Sequence, residues 1–284
     1  MSTPNAEQLE YWNGEAGERW AQQDQMMADL LAPVAADLLD HADPAGATRA
    51  VDVGCGGGSQ SLMLAERLGS GATVTGVDIS GPLLKVARER AAAAPAGAAS
   101  MEFLQADAAL HAFEPESFDL LFSRFGVMFF DDPVGAFSNL RRAMCDGGRL
   151  AFACWQALQA NPWTWLAVQA ALKFVPPPEA TDPEAPGPFS FADPARIESV
   201  LTSAGFNSIK VAAHPVVMRW AMADNLEDNV TGMMQIGPVG RLLIDQDDAV
   251  RRQVHAAVVE VMREFYDGTA LNLPGATWFV TATT

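Results

Sequence analysis

Arg49-Ala50-Val51-Asp52-Val53-Gly54-Cys55-Gly56-Gly57-Gly58-Ser59 is the stretch on which the reading of this chain turns. Residues 50–53 form a short apolar run broken by a single carboxylate, and a glycine-rich turn follows at once. Residues 59–68 then carry Leu62, Leu64, Ala65 and Leu68, the spacing of a helix with one apolar face. Strand, glycine turn and helix in that order bring backbone N–H groups and a helix N-terminus up to a nucleotide. The glycines do not make the dinucleotide pattern Gly-x-Gly-x-x-Gly, because its third glycine would fall on Ser59. Asp52 stands where a dinucleotide enzyme tends to be apolar. A carboxylate there suits a ligand with a cationic amino end and no pyrophosphate.

Outward from this turn the pattern alternates. Strands are expected over residues 73–77, 101–104, 118–123 and 149–155. Helices are expected over 82–94, with Ser80 as N-cap and Pro82 behind it, and from Asp132-Pro133 through Met144. Such alternation predicts right-handed crossovers and a parallel sheet covered by helices on both faces. Beyond Trp155 the rhythm breaks at a proline-rich excursion holding a helical piece at 163–174. Asp193-Pro194 opens a further helix that stops at Gly205, and residues 207–220 read as a long strand. A second excursion carries Val250, Val254, Val258, Val261 and Phe265 on one helical face, and 277–282 is the last strand.

Chemistry-bearing residues recur at the strand ends. Asp78 closes the second strand, 22 positions after Gly56, and is placed to accept hydrogen bonds from a ribose diol, with Ile79 beside it for an adenine face. Asp107 follows the third strand, where a carboxylate receives an adenine amino group. Ser123 and Arg124 close the fourth. Carboxyl ends of successive strands are where open α/β sheets bind ligands.

The series Val51-Asp52-Val53-Gly54-Cys55-Gly56-Gly57-Gly58, Val77-Asp78-Ile79-Ser80, Gln105-Ala106-Asp107-Ala108, Phe118-Asp119-Leu120-Leu121-Phe122-Ser123-Arg124 and Gly147-Gly148-Arg149-Leu150 resembles the class I S-adenosylmethionine (SAM)-dependent methyltransferases. It is most similar to the branch related to the ubiquinone/menaquinone-biosynthesis C-methyltransferases. The resemblance is strong over residues 49–155 and looser over 193–220 and 277–282. It implies a Rossmann-like, seven-stranded, mostly parallel sheet whose last strand is antiparallel. It implies SAM as donor and S-adenosylhomocysteine (SAH) as product. Gly54 and Gly56 would then meet the methionine moiety, Asp78 the ribose and Asp107 the adenine, with Asp52, Cys55, Ile79, Ala108 and Ser123 around them.

Residues 1–48 read as a helical lid on a domain of 49–284, with cap inserts at about 156–190 and 224–268. Tyr11, Trp12, Arg19 and Trp20 resemble the leading helix of relatives in which this segment closes over the cofactor. Aromatic faces attract a sulfonium, and Arg19 could meet the cofactor carboxylate. Simple docking of Trp12 and Trp20 on the domain is the competing explanation.

No residue of the protein need act as nucleophile in methyl transfer, and a base is needed only if the acceptor must lose a proton. His111, close behind Asp107, is the candidate; His214 and His255 read as structural. Asp131-Asp132 reads as a helix cap rather than a metal site. Cys55 reads as a small filler of the turn rather than a reactive thiol. Phe125, Met128, Phe129, Phe130, Trp155, Trp163 and Trp165 are candidates to line an apolar acceptor pocket, with core packing as the alternative.

With 35 acidic against 18 basic side chains the formal charge is −17, and nucleic acid is a poor partner for that surface. Cys55, Cys145 and Cys154 make no CxxC pair, so reduced thiols, a cytoplasmic location and no metal are expected. Residues 1–7 lack the pattern of a signal peptide, and no run reaches the roughly 18 apolar residues of a membrane span. The expected partner is a small molecule, with a homodimer as the assembly. Two other enzyme readings remain at this point: a SAM-binding enzyme of a non-methylating reaction, and an NAD-dependent oxidoreductase.

Overall fold

The computed structural model describes residues 5–178, 182–235 and 237–284. Residues 1–4, part of the stretch read for a signal peptide, and 179–181, within the proline-rich excursion, lie outside the described residues. The elements run α1 (Ala6–Asn13), α2 (Glu15–Gln22), α3 (Asp24–Ala42), β1 (Arg49–Val53), α4 (Ser59–Leu68), β2 (Thr73–Asp78), α5 (Gly81–Ala92) and β3 (Ser100–Gln105). They continue with β4 (Phe118–Arg124), α6 (Pro133–Ala143), β5 (Met144–Trp155), α7 (Pro162–Ala171), α8 (Pro194–Ser203) and β6 (Asn207–Trp220). The series closes with α9 (Leu226–Met234), α10 (Pro238–Leu242), α11 (Asp248–Met262) and β7 (Leu271–Thr283).

One seven-stranded sheet has the order β3-β2-β1-β4-β5-β7-β6. β1 pairs in parallel with β2 and β4, β2 with β3, and β4 with β5. Thr284 N–H donates to Gly148 O and Gln156 N–H to Ala276 O, both at 3.0 Å, so β7 runs antiparallel to β5. The chain leaves β1 toward β3 on one side and returns to β4 on the other. Right-handed crossovers therefore put α4 and α5 on one face and α6 on the opposite one. That reversal opens a crevice at the carboxyl ends of β1 and β4.

Ala50, Val51, Asp52 and Val53 are all buried, as a central parallel strand covered on both faces requires. Leu120, Leu121 and Phe122 fill the middle of β4, and Phe137 of α6 packs on Phe152 and Phe191 with centroids 5.7 and 6.3 Å away. Each such side chain contributes about 1.5–3 kcal/mol on burial. Caps follow the expected chemistry: Ser80 Oγ accepts from Leu83 N–H, and Asp132 Oδ1 from Gly135 N–H at 2.9 Å.

Several boundaries differ from the sequence expectation, among them the start of β5, which lies at Met144 rather than at residue 149. α6 ends at Ala143, because Met144 is already paired with Phe118 in the sheet. β7 starts at Leu271 rather than at residue 277, because Leu271, Leu273, Gly275 and Thr277 alternate into the interior despite Pro274.

Contacts divide the chain into two units. The first holds Met1–Trp155, Glu184–Ala213 and Trp278–Thr284, so the three leading helices belong with the sheet. The second joins Gln156–Pro183 to His214–Thr277, drawing from both inserts. Within it α11 packs on α7 and α9. The buried seam of α11 is Val254, Val258 and Met262 with Val259, so Val261 and Phe265 stand beside the seam instead of in it. Buried Asn229 fastens the approach to α9 by accepting from Met222 N–H at 2.8 Å and donating to Ala223 O at 2.8 Å.

Candidate active site

At the carboxyl ends of β1–β4 the first unit holds a cavity walled on one side by the glycine turn and on the other by the leading helices. Gly54 takes φ 68°, and a Cβ there would lie 2.6 Å from Gly126 Cα, so the two backbones touch where only glycines fit. Gly54 and Cys55 N–H both donate to Val77 O, at 2.8 and 3.2 Å, which lays the turn across the end of β2. Asp78 braces it: Oδ2 accepts from Gly56 N–H and Oδ1 from Ser80 N–H, each at 2.8 Å. Burial raises the Asp78 carboxyl above its ordinary value, and these N–H donors oppose the rise.

Asp52 lies behind the wall. It is fully buried, accepts from Ser61 Oγ at 2.5 Å and from Gln60 Nε2, and so holds the first turn of α4 instead of facing the cavity. Burial pushes its carboxyl up to about 6 against those hydrogen bonds. Ser123 is likewise buried; its Oγ donates to Val53 O at 2.7 Å and accepts from Gly126 N–H, tying β4 to β1. Arg124 and Gln60 both line the cavity, and Arg124 Nε and Gln60 Oε1 are buried without a hydrogen-bond partner. Burial brings the Arg124 guanidinium down to about 10, while Asp52 and Asp24 favour its charge.

The leading helices complete the enclosure. Trp12, Trp20, Asp24, Met27, Ala28 and Leu31 line the cavity from α1, α2 and α3. Trp12 lies 5.9 Å from Trp20 and 6.0 Å from Phe129 between centroids. Asp24 and Arg90 make a partly buried ion pair at 2.7 Å, and Arg90 also donates to Gly57 O. Asn13 donates to Ile79 O at 2.9 Å and accepts from Gly81 N–H at 3.0 Å, and Ser80 Oγ donates to Trp12 O at 2.8 Å. Arg19 is a correction. Trp20 turns into the cavity, and the helical phase sends Arg19 outward to Glu15, 3.8 Å away, with its side chain 64% exposed.

Ile79, Asp107 and Ala108 line the far end. Asp107 accepts from Ala109 N–H through Oδ1 at 2.9 Å and from Asn5 Nδ2 through Oδ2 at 2.6 Å. His111 does not reach the cavity, since its ring packs edge-on to Phe113 at 4.6 Å. His255 bonds Thr231 Oγ1 at 2.9 Å in the second unit, a structural contact, and His214 supplies its carbonyl to Thr277 Oγ1. Asp131 accepts from Asn5 N–H at 2.6 Å. Among the described residues no group of His, Cys, Asp and Glu is arranged to hold a metal, and no helix is long and apolar enough to cross a membrane. Cys55 is buried against Gly76, and burial, with Asp78 and Asp52 nearby, drives its thiol well up, so it fills the turn and is not poised to react.

Residues 51–152 match the family described as a methyltransferase domain. Over that stretch the chain is similar to a methyltransferase domain. Over 129 residues it is 32% identical to the aklanonic acid methyltransferase of Streptomyces sp. (strain C5), covering 45% of this chain and 58% of that one. Over 102 residues it is 38% identical to the demethylmenaquinone methyltransferase of Thermus thermophilus, covering 36% and 44%. The chain thus spans about half the length of the curated relatives it matches. Among solved structures, phosphoethanolamine N-methyltransferase 2 of Haemonchus contortus in complex with SAM shares the fold. It matches with a TM-score of 0.51 at 19% identity, over 88% of this chain and 52% of that one. Within the matched residues the glycine turn, Asp78 and Asp107 converge on one cavity. Sequence reasoning missed Asn5, Asp24 and Gln60, and quoted Arg124 without a role. Only the buried, unpartnered Gln60 Oε1 and Arg124 Nε mark those two residues, and that has no sequence signal.

Proposed function

We propose that this chain transfers a methyl group from SAM to a small apolar or aromatic acceptor in this cavity. The observation carrying the reading is a pair of buried polar atoms of opposite kind on two side chains that line the same cavity. Arg124 Nε is a donor without an acceptor, and Gln60 Oε1 an acceptor without a donor. An α-amino acid head, with its carboxylate and ammonium, satisfies both at once, and leaving either unpaired is costly. Asp24 adds a carboxylate on the ammonium side. Asp78 then takes the ribose, Asp107 and Ala108 the adenine edge, and Ile79 its face. Trp12 and Trp20 turn aromatic faces toward a sulfonium, an attraction of about 0.5–2 kcal/mol.

SAM supplies an electrophilic methyl carbon on sulfur. The protein's part is to hold donor and acceptor in line and to exclude water, which for such a displacement supplies much of the rate. Phe125, Phe129 and Phe130 give the cavity its apolar wall, and the names of the two curated relatives fit an acceptor of that type. The charge of −17 disfavours nucleic acid. Residues 1–48 act as the lid, and the two inserts are assigned to acceptor choice. The free state of Cys55, Cys145 and Cys154 supports a cytoplasmic location. The assembly expected is a homodimer, read by light scattering.

Calorimetry with SAH tests the donor site: wild type binds and Asp78→Ala loses binding at least tenfold. No binding by wild type, or equal binding by the variant, sinks the reading. Methyl-labelled SAM must then deliver its label to product.

A further inference from the structure

Phe125 is the residue that local geometry leaves least explained. It directly follows β4 and holds φ 66°, the left-handed region that a bulky side chain rarely adopts. Contacts on both sides hold it there. Gly126 must sit against the glycine turn, since a Cβ there would come 2.5 Å from Val53 O and 2.8 Å from Gly54 Cα. Phe125 N–H is fixed on Ala153 O at 2.9 Å, and Gly126 N–H on Ser123 Oγ at 3.3 Å. A glycine or asparagine would take this conformation at lower cost. Strain kept by its surroundings points to a use for the side chain.

The ring of Phe125 lies parallel to that of Trp155, at the end of β5, with centroids 4.4 Å apart and planes 6° from coincidence. Trp155 is 7% exposed, whereas Phe125 lines the cavity. The pair is thus a rigid flat layer whose inner member is covered and whose outer member is presented. The donor subsites proposed above use the ends of β1, β2 and β3. The end of β4 is what remains for the acceptor, and through the Gly54–Gly126 contact it abuts the turn assigned to the methionine end.

We propose that the Phe125–Trp155 stack is the platform on which the acceptor lies, and that the acceptor carries a planar aromatic ring system. The proposal rests on the SAM reading. A flat π-surface takes a flat partner in offset stacking, and a puckered one of equal size makes poorer contact. Phe125 here is a positioning residue, setting the acceptor's plane beside the donor.

The test uses two probes of matched skeleton, 2-naphthol and trans-decahydro-2-naphthol, titrated into the SAH-bound full chain by calorimetry. Wild type should bind the planar probe roughly fivefold more tightly, the order expected of one aromatic stack. Phe125→Leu should lose that preference. Trp155→Leu, which removes the layer beneath without touching the strained residue, should lose it too. Phe125→Tyr should retain it. A wild type that binds both probes alike or neither, or a folded Phe125→Leu protein that keeps the preference, overturns the platform. Failure of the donor reading shows separately, as absence of SAH binding by the wild type.

Discussion

Asn5 donates through Nδ2 to Asp107 Oδ2 at 2.6 Å across 102 positions of chain. Asn5 also exchanges two hydrogen bonds with Asp131, donating its N–H at 2.6 Å and accepting at 3.1 Å. The carboxylate assigned to the adenine amino group is therefore also the anchor of the leading segment. A carboxylate has lone pairs for both, so in the proposed reading nucleoside binding and the hold on the leading segment share one group. Asn5→Ala should raise amide hydrogen exchange across α1 and α2 and weaken SAH binding by up to about 1.5–3 kcal/mol, the scale of a hydrogen bond to a charged group. Unchanged exchange would remove Asn5 from the lid.

Arg124 is assigned to the carboxylate of the donor, which gives a selective prediction. Arg124→Met should weaken SAH at least tenfold and leave 5′-methylthioadenosine, which lacks the amino-acid head, nearly unaffected. Equal losses for the two ligands would mean that Arg124 only supports the fold.

Gly57 and Asp24 form a matched pair. A Cβ on Gly57 would come 2.0 Å from Asp24 Oδ1, and Arg90 holds that carboxylate in place. Gly57→Ala should cost about 1–3 kcal/mol of stability, the scale of overpacking. A double-mutant cycle with Asp24→Ala should recover much of the loss, since the clash is gone. Additive losses in urea unfolding would place the strain elsewhere.

Asp52 makes stability depend on pH with a defined sign. Its folded value of about 6 lies above the ordinary 3.8, so between those values the native state holds a proton that the unfolded chain has lost. Its contribution to stability is therefore greatest below about pH 4, falls as pH rises to about 6 and is flat above. The fall is at most about 3 kcal/mol. Asp52→Asn should remove that part of the slope, which denaturant titrations at pH 4, 5, 6 and 7 would read. Parallel curves for variant and wild type would refute the assignment.

The thiols differ in access. Cys55 is 5% and Cys154 0% exposed, and burial pushes both acids up, whereas Cys145 is half-buried. Ellman's reagent should modify Cys145 first in the native protein and all three cysteines only in denaturant. Rapid reaction of Cys55 would contradict its role as a filler of the turn.

What the sequence determined by itself is what depends on local pattern. Strand and helix alternation follows from apolar period, and the glycine turn from φ values that glycine alone adopts without strain. Asp78 and Asp107 fall at strand ends because the strands end there, so the crevice was legible before any coordinates. Even the caps at Ser80 and Asp132 are short-range chemistry. The tertiary structure decided which charges face the crevice. Arg19 and Arg124 are equal as letters, and helical phase exposes one while burial at the end of β4 turns the other inward. Asp52 reads as a ligand group until Gln60 and Ser61 are seen to saturate it. Asn5 and Asp24 act on partners 102 and 66 positions away, separations at which sequence carries no register. The left-handed φ of Phe125 is set between its hydrogen bond to Ala153 and the contact of Gly126 with Gly54, both long-range. Burial and long-range contact set the energy of a polar or strained group, and neither is a property of its neighbours along the chain.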